Sequence, residues 1–272
     1  MKQRSTEKSA GNKGLQFWSS QALVQGILEQ DRGICSAVEK SLPQIAALAE
    51  AYYQALQGGG RVFYIGAGTS GRLGILDASE LPPTYGVPFD LVIGLIAGGD
   101  GAIRKAVEFA EDDKEAAWKD LTEHGAQAGD LVVGIAASGT TSYVIGGLAK
   151  ARIHGLNTGC ITCNADAPIV QEAEFPVVVE TGPEFVRGST RMKAGTAQKM
   201  VLNMISTAAM IRLGRVEEDR MVDMQLSNKK LWDRACAMVE ESTGCNREQA
   251  LELLKSEGSV RKAVTLWNQK HE

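Results

Sequence analysis

The chain has few of the features that mark membrane, secreted or nucleic-acid-binding proteins. No stretch of its 272 residues approaches the about 20 consecutive apolar residues that a membrane helix requires. The polar N-terminus MKQRSTEKSAGNKG has no apolar core of the kind found in signal peptides. The net charge of -4 leaves no excess of basic residues for a nucleic-acid footprint. We therefore expect a cytoplasmic protein that binds neither membranes nor nucleic acids.

Cysteine and histidine are also scarce, with five and three residues respectively. An odd number of dispersed cysteines favours free thiols in a reducing compartment. Cys160 and Cys163 have the CxxC spacing of redox and zinc sites, but no second pair and no nearby histidine completes four zinc ligands. We interpret this pair as apolar residues of a buried strand, and we expect neither a metal nor a cofactor.

Between residues 61 and 180 the chain alternates short apolar runs with helical patterns. The runs predict five strands, at residues 62–65, 91–95, 131–135, 158–162 and 176–179. Helical patterns lie between most of them, at residues 71–79, 102–110 and 143–154. Apolar strands joined by helices are typical of a parallel sheet that is covered on both faces. We therefore expect an α/β fold with a doubly wound parallel sheet.

The flanking segments are predicted to be helical. Residues 1–14 are polar and indicate a flexible start. Further helices are predicted at residues 19–29, 34–56, 194–213, 228–242, 246–258 and 259–269. We divide the chain into an N-terminal segment (1–50), a sheet domain (51–215) and a C-terminal helical module (216–272).

Three loops are rich in hydroxyl groups and precede helices. Loop 1 comprises residues 66–71, loop 2 residues 138–142 and loop 3 residues 188–193. Short hydroxyl side chains and bare amides at a helix N-terminus favour a phosphate monoester, although hydroxyls at these positions also serve as helix caps. Ligands of parallel sheets bind at the carboxyl ends of the strands, so we predict a sugar-phosphate pocket there. Its candidate ligands are Gly68, Thr69, Ser70, Ser138, Gly139, Thr141, Ser189, Thr190 and Lys193, with Glu184 reaching the sugar or, alternatively, lying on the surface.

The glycines of loop 1 also fit the GxGxxG pattern of dinucleotide-binding sites. Such a site requires an acidic residue at the end of the second strand, but here that strand ends in Ala97-Gly98-Gly99. Thr69 and Ser70 add hydroxyl donors that a pyrophosphate turn does not need. Neither the GxxxxGK[ST] loop of nucleotide phosphatases nor the GxSxG elbow of hydrolases is present. We therefore favour a sugar phosphate over a dinucleotide.

Several segments resemble one known family. They are IGAGTSGRLGILDASELPPTYG (65–86), GLIAGG (94–99), VGIAASG (133–139), YVIGGL (143–148) and TGPEFVRGSTRMKAGTAQKMVLNMISTAAMIRLG (181–214). The chain is thereby similar to the N-acetylmuramic acid 6-phosphate etherases, which have the sugar isomerase (SIS) fold and are related to glucokinase regulatory protein. The resemblance implies a five-stranded parallel sheet in a three-layer αβα sandwich, N-terminal helices, a C-terminal helical module and a homodimer. It also implies cleavage of the D-lactyl ether of N-acetylmuramic acid 6-phosphate with water, which gives N-acetylglucosamine 6-phosphate and D-lactate in peptidoglycan recycling.

Such an ether is cleaved most easily by elimination. In the ring-opened sugar the C2 proton is α to the C1 aldehyde, and the lactyl ether is on C3. A base removes the proton, an acid protonates the departing lactate oxygen, and water then adds to the double bond. Two carboxylates in different protonation states suffice, without metal or cofactor.

Two carboxylates match the catalytic positions of the family. By the resemblance, Glu80 takes the position of the acid that releases lactate and Glu111 that of the second catalytic carboxylate, which we assign to proton transfer at C2. We expect Glu80 beside a sharp turn, because Pro82 disfavours helix in the residue before it, and Glu111 at the end of the helix 102–110. Without the resemblance, both would be interpreted as solvated surface charges.

Two other functions remain open. A sugar-phosphate isomerase of the same fold would return the C2 proton to C1 and would need no acid over C3, so Glu80 distinguishes the two reactions. A phosphosugar sensor without catalysis is the second alternative. It is favoured by Thr140, which stands where this family usually has an arginine, and disfavoured by the presence of both Glu80 and Glu111.

Overall fold

A five-stranded parallel sheet forms the centre of the fold in the computed structural model, which describes residues 4–271. The strands are β1 (Val62–Gly66), β2 (Val92–Ile96), β3 (Leu131–Ile135), β4 (Asn157–Thr162) and β5 (Phe175–Val178). Their bounds differ from the predicted ones by at most one residue. The strand order is β2-β1-β3-β4-β5, and every pair is parallel. The predicted α/β fold is confirmed.

Helices of the first compact unit (residues 1–78 and 90–209) cover both faces of this sheet, and the second unit is mainly helical. In chain order, the helices of both units are α1 (Ser20–Asp31), α2 (Ile34–Lys40), α3 (Leu42–Gln57), α4 (Gly68–Tyr85), α5 (Gly101–Arg104), α6 (Ala116–Glu123), α7 (Ser142–Ile153), α8 (Lys193–Arg212), α9 (Lys229–Thr243), α10 (Arg247–Glu257) and α11 (Val260–His271). Phe63 and Ile65 of β1 pack into one core with Leu148 of α7. Tyr64 points to the opposite face, where it meets Gly74 of α4. This alternation along β1 gives the three layers of an αβα sandwich.

Some predicted helices were wrong in extent. The predicted helix 34–56 is divided at Ser41, and a new helix begins at Leu42 with Pro43 in its first turn, where no amide donor is needed. The predicted helix 102–110 is absent beyond Arg104: Phe109 has a left-handed backbone (φ 60°), and a 3₁₀ turn follows at Ala110–Asp112. Helix α6 was not predicted.

The N-terminal segment contacts the edge of the sheet. The prediction of a flexible start falls partly on residues 1–3, which lie outside the described chain. Thr6 is fully buried, and the Ser5 hydroxyl donates to the side-chain oxygen of Asn164 at 2.8 Å. Residues 4–14 therefore have tertiary contacts that their polar composition did not indicate.

The chain divides into two compact units. The first comprises residues 1–78 and 90–209, and the second comprises residues 79–89 and 210–272. In the second unit α9, α10 and α11 pack around a small core that includes Val239, Leu254 and Ala263. The three predicted C-terminal helices are therefore present, while the domain boundaries 1–50, 51–215 and 216–272 stay a prediction.

Candidate active site

The carboxyl edge of the sheet brings loops 1 and 2 side by side. Gly66 at the end of β1 pairs in register with Ile135 at the end of β3. Helix α4 begins at Gly68 and helix α7 at Ser142, so each helix starts within a few residues of its strand. Both N-termini therefore lie at the same edge of the sheet, as predicted.

Loop 1 presents open backbone at the start of α4. Gly68 is exposed, has a positive φ of 53°, and has no atom within 4 Å of where a Cβ would stand. Within residues 4–271 the N–H groups of Gly68, Thr69 and Ser70 donate to no acceptor. These amides and the positive end of the helix dipole can accommodate an anion.

The hydroxyl of Ser70 forms a hydrogen bond that the sequence did not indicate. It donates to Oε1 of Gln198, on α8, at 3.0 Å. Gln198 is 1% exposed, and its Nε2 has no hydrogen-bond partner within the described chain. Thr69 lies beside the same helix, 3.4 Å from where a Cβ on Gly195 would stand. Loop 1 is therefore held against the first turns of α8 by this hydrogen bond and by packing.

Loop 2 is held by packing and by its own hydroxyls. Gly139 has a φ of 69°, and a Cβ there would stand 2.3 Å from that of Ala167, so this position requires glycine. The hydroxyls of Ser138 and Thr140 are 2.9 Å apart. No side chain of the described residues caps the first turn of α7, whose cap residue is Thr141. The amides of this turn can therefore also face a ligand.

Loop 3 differs from the other two because a buried carboxylate already occupies its helix N-terminus. Glu184 is fully buried, and its two oxygens accept from the N–H groups of Lys193 and Ala194, both at 2.9 Å. The expectation of bare amides at this helix is therefore wrong. A glutamate nine residues before a helix gave no capping signal, because caps recognisable from sequence lie within one turn of the helix.

The side chains of loop 3 nevertheless lie near the other loops. Ser189 and Thr190 are partly exposed, and Lys193 is 9% exposed. Ala194 packs with Ala137, which precedes loop 2, and with Cys163 at the end of β4. Together with the contact between Ser70 and Gln198, this packing joins all three loops in the first unit.

Glu111 lines a cavity of about 270 Å³ in the first unit. The cavity is lined by Ala67, Gly68, Arg72, Ala97, Ala102, Ala106, Val107, Glu108, Phe109, Ala110 and Glu111. Glu111 is exposed and sits in the 3₁₀ turn rather than at the end of a helix. The structure thereby places this predicted carboxylate beside loop 1.

Arg72, which the sequence reasoning did not select, lines the same cavity. Its Nε donates to the carbonyl of Ile103, and its Nη2 donates to the carbonyl of Ala102, both at 2.7 Å. These bonds hold the short helix α5, which leads into the segment that carries Glu111. The sequence signal that could have identified Arg72 is its position directly after the glycine-rich loop 1, at the edge of the sheet where a ligand is predicted to bind.

Glu80 belongs to the second unit and lies inside α4, which runs without interruption to Tyr85. The predicted sharp turn before Pro82 is therefore wrong. Leu81 and Tyr85, one helical turn apart, are both buried, and the amide of Gln225 donates to the carbonyl of Pro83 at 3.1 Å. This packing within the second unit outweighs the local preference of residues before proline for extended backbone. The carboxylate of Glu80 is exposed.

A second acidic group on α4, Asp77, is partly buried. The carboxylate of Asp77 accepts from the hydroxyl of Tyr64 at 2.9 Å and from that of Ser206 at 3.1 Å. Removal from water disfavours its charged form and raises its pKa from 3.8 to about 6, although both hydrogen bonds act in the opposite direction. Asp77 therefore ties β1, α4 and α8 together in the first unit.

The cysteines of the CxxC pair are fully buried. Burial raises the pKa of each thiol, Cys160 and Cys163, to about 12, so neither is a reactive thiolate at neutral pH.

Within residues 4–271 no three His, Cys, Asp or Glu side chains are grouped so that they could hold a metal ion. None of the helices in the same range has the length and apolar character of a membrane span.

The chain matches three protein-family models. Residues 44–152 match the N-terminal SIS domain of glucokinase regulatory protein, residues 106–208 match the SIS domain, and residues 218–265 match the C-terminal lid domain of glucokinase regulatory protein. Among solved structures, a phosphoheptose isomerase from Francisella tularensis has a TM-score of 0.53 at 16% identity, over 70% of this chain and 100% of that one. The phosphoheptose isomerase GmhA from Neisseria gonorrhoeae has a TM-score of 0.54 at 18% identity, over 70% and 99%. These likenesses establish the SIS fold.

Curated relatives are far more similar in sequence. An N-acetylmuramic acid 6-phosphate etherase from Christiangramia forsetii is 55% identical over 95% of this chain and 94% of its own length. The etherase of Porphyromonas gingivalis is 52% identical over 99% and 98%, and that of Salmonella agona is 54% identical over 91% and 84%. Identity at this level over nearly the whole length confirms the resemblance inferred from the motifs. The chain belongs to the N-acetylmuramic acid 6-phosphate etherase family.

Proposed function

We propose that the chain cleaves the D-lactyl ether of N-acetylmuramic acid 6-phosphate and so forms N-acetylglucosamine 6-phosphate and D-lactate in the recycling of cell-wall sugars. Membership of the etherase family supports this reaction. The single structural observation that carries it is the meeting of loops 1, 2 and 3 at the carboxyl edge of the sheet, beside the cavity that Glu111 lines.

The phosphate binds between loops 1 and 2. The open first turns of α4 and α7 supply amides and two helix dipoles, and Ser138 and Thr141 supply hydroxyl groups. Ser189, Thr190 and Lys193 supply the further hydroxyls and the positive charge. The amides of α8 take no part, because Glu184 already accepts from them.

The reaction is an elimination followed by a hydration. Glu111, as carboxylate, removes the C2 proton of the ring-opened sugar, and the electron pair moves between C2 and C3 as the bond from C3 to the lactyl oxygen breaks. Glu80, protonated, donates its proton to the departing lactate. Water then adds at C3, and a proton returns to C2, which restores the saturated sugar.

The first experiment measures release of D-lactate from N-acetylmuramic acid 6-phosphate by wild type and by Glu80→Gln. We expect release by wild type and at least a hundredfold slower release by Glu80→Gln, within the range for loss of a general acid. Glu252→Gln is a matched control, because Glu252 is an exposed glutamate on α10 of the same unit. Glu80→Gln with unchanged activity would remove Glu80 from the mechanism.

A phosphosugar sensor without catalysis is the second candidate. The matches to both glucokinase regulatory protein domains and the presence of Thr140 favour it. A folded wild type that binds the sugar phosphate but releases no lactate would establish this alternative. Removal of the C2 proton followed by its transfer to C1 would instead indicate an isomerase.

The chain functions as a homodimer in the cytoplasm. Helix α1 has no buried residue and exposes Val24 (63%), and Phe17 (84%) is exposed in the 3₁₀ turn that precedes it, which suits apolar surface covered by a second copy. All five cysteines are free, which suits a reducing compartment. Sedimentation equilibrium of wild type and of Val24→Glu tests the dimer, with a monomeric mass expected for the variant only.

A further inference from the structure

We propose that Arg72 binds the carboxylate of the lactyl group, and that the cavity beside it holds the lactyl methyl group. This inference rests on the etherase function proposed above. It gives Arg72 a role in distinguishing the substrate from its own sugar product, since only the substrate carries the lactyl group.

The substrate carries two separate anions. One is the phosphate at C6, and the other is the carboxylate of the lactyl group at C3. Loops 1, 2 and 3 provide one phosphate site, so the carboxylate needs a second receptor at the position where the ether is cleaved. An arginine fork matches a carboxylate, because two parallel N–H groups can donate to its two oxygens.

The guanidinium of Arg72 is held in a fixed orientation with donors to spare. Its Nε and Nη2 donate to the carbonyls of Ile103 and Ala102, both at 2.7 Å. An arginine has five N–H donors, so three remain, two of them on Nη1. No acceptor in the described part of the chain is assigned to Nη1. The backbone carbonyls thus orient the side chain while leaving one end of its fork for a ligand.

The cavity that Arg72 lines is large enough for a lactyl group and offers it both an apolar wall and a cation. Its volume is about 270 Å³, and much of its wall consists of the small apolar side chains of Ala97, Ala102, Ala106 and Ala110. A lactyl group has one methyl to place against such a wall and one carboxylate to place against a cation. Aliphatic walls with few polar groups are typical of small-molecule sites.

Charge within the cavity also favours Arg72 as the receptor. Arg72 is the one cation among the lining residues, whereas Glu108 and Glu111 are both acidic. A substrate carboxylate that approached Glu111 without a cation would be repelled by it. Arg72 would offset this repulsion and would hold the lactyl ether near the base that starts the elimination.

The test compares two ligands that differ only in the lactyl group. Dissociation constants for N-acetylmuramic acid 6-phosphate and N-acetylglucosamine 6-phosphate are measured by calorimetry in the Glu80→Gln background, with and without Arg72→Ala. We expect Arg72→Ala to weaken binding of the first ligand by about 10- to 100-fold, the range for a charged hydrogen-bonded pair, and that of the second by less than about threefold. Arg72→Lys should lie between, since it keeps the charge but not the fork. Arg104→Ala, an exposed arginine outside the cavity, is the matched control.

Equal weakening of both ligands would overturn the proposal, because it would mean that Arg72 acts only by holding the backbone at Ala102 and Ile103. No weakening of either ligand would also overturn it. A ligand variant keeps the test valid if Arg72→Ala does not fold: the Glu80→Gln protein with Arg72 intact should bind the lactyl amide of the substrate about 10- to 100-fold more weakly than the acid, and equal binding would overturn the proposal. Absence of lactate release by wild type would overturn the etherase function separately, because the ligand comparison does not depend on turnover.

Discussion

The hydroxyl of Ser70 donates to Oε1 of Gln198 at 3.0 Å, and this bond joins the first turn of α4 to α8 across 128 residues of sequence. Both residues are almost completely buried, with exposures of 7% and 1%. Because Nε2 of Gln198 has no partner within residues 4–271, Ser70 is the residue that fixes this side chain. The pair therefore orients loop 1 relative to α8.

Replacing Gln198 by leucine should weaken substrate binding more than folding. The substitution leaves the hydroxyl of Ser70 without its acceptor, but it also removes the buried Nε2 that has no partner. Because these two effects offset each other, we expect the free energy of unfolding to change by less than about 1 kcal/mol. Loss of the Ser70 orientation should raise KM by about 3- to 10-fold, the equivalent of one net hydrogen bond. Urea unfolding and lactate release measure the two effects, and Gln171→Leu, at an exposed glutamine, is the control.

A double-mutant cycle with Ser70→Ala separates this coupling from independent effects. If Ser70 and Gln198 act through their shared bond, the double variant should have nearly the same KM as either single variant. Changes in KM that multiply in the double variant would show that the two residues act separately.

The roles proposed for Glu80 and Glu111 can be distinguished in an isotope experiment. In D₂O, Glu80→Gln should still exchange the C2 proton of the substrate for deuterium, because Glu111 remains, but should release little lactate. Glu111→Gln should show neither exchange nor release. Mass spectrometry of recovered substrate measures the exchange, with Asp112→Asn as the control for a neighbouring exposed carboxylate. Undiminished C2 exchange in Glu111→Gln would assign the base elsewhere.

Glu184→Gln should destabilise the protein. Both carboxylate oxygens accept from backbone amides at the start of α8, whereas an amide side chain offers one oxygen and turns its NH₂ group towards a second donor. We expect a loss of about 2–3 kcal/mol in the free energy of unfolding, because a buried N–H is left unpaired and the charge that favours the helix dipole is removed. Urea denaturation beside Glu180→Gln, an exposed glutamate in the same region, checks this. A loss as small as that of the control would contradict the capping role.

Asp77 should make stability fall as pH rises from about 4 to 7. Its folded pKa of about 6 lies above the ordinary 3.8, so the folded state binds more protons than the unfolded state in this window. Above pH 6 the partly buried charge of Asp77 costs as much as about 3 kcal/mol, at about 1.36 kcal/mol for each pH unit between the two values. Below about pH 4 this cost is absent.

The difference in stability between wild type and Asp77→Asn isolates this effect, because the other titrating groups are common to both proteins. We expect wild type to lose stability relative to Asp77→Asn between pH 4.5 and pH 7.5 in urea denaturation, whereas Asp90→Asn, at an exposed position, should follow wild type. A difference that does not depend on pH would show that Asp77 is charged throughout this range.

β1 and β3 could be predicted from sequence because they lie in the interior of the sheet. β1 and β3 are buried along their whole length, and continuous apolar runs between glycine-rich loops are typical of such strands. The prediction of a helix at 102–110 was wrong because the helical pattern gave no sign of the left-handed backbone at Phe109. It also gave no sign of the hydrogen bonds from Arg72 to the carbonyls of Ala102 and Ile103. These hydrogen bonds join residues that are far apart in the chain.

The sequence by itself determined the parallel sheet, the hydroxyl-rich loops at its carboxyl edge, the family and the two candidate carboxylates, because each depends on local pattern or on motifs of contiguous residues. Only the tertiary structure decided that Glu184 fills the N-terminus of α8, that Gln198 holds Ser70, and that Arg72 shares a cavity with Glu111. It also decided that α4 continues through Pro82. Each of these outcomes depends on a side chain or backbone group brought close by folding, and the energy of such contacts exceeds the local preferences that a sequence displays.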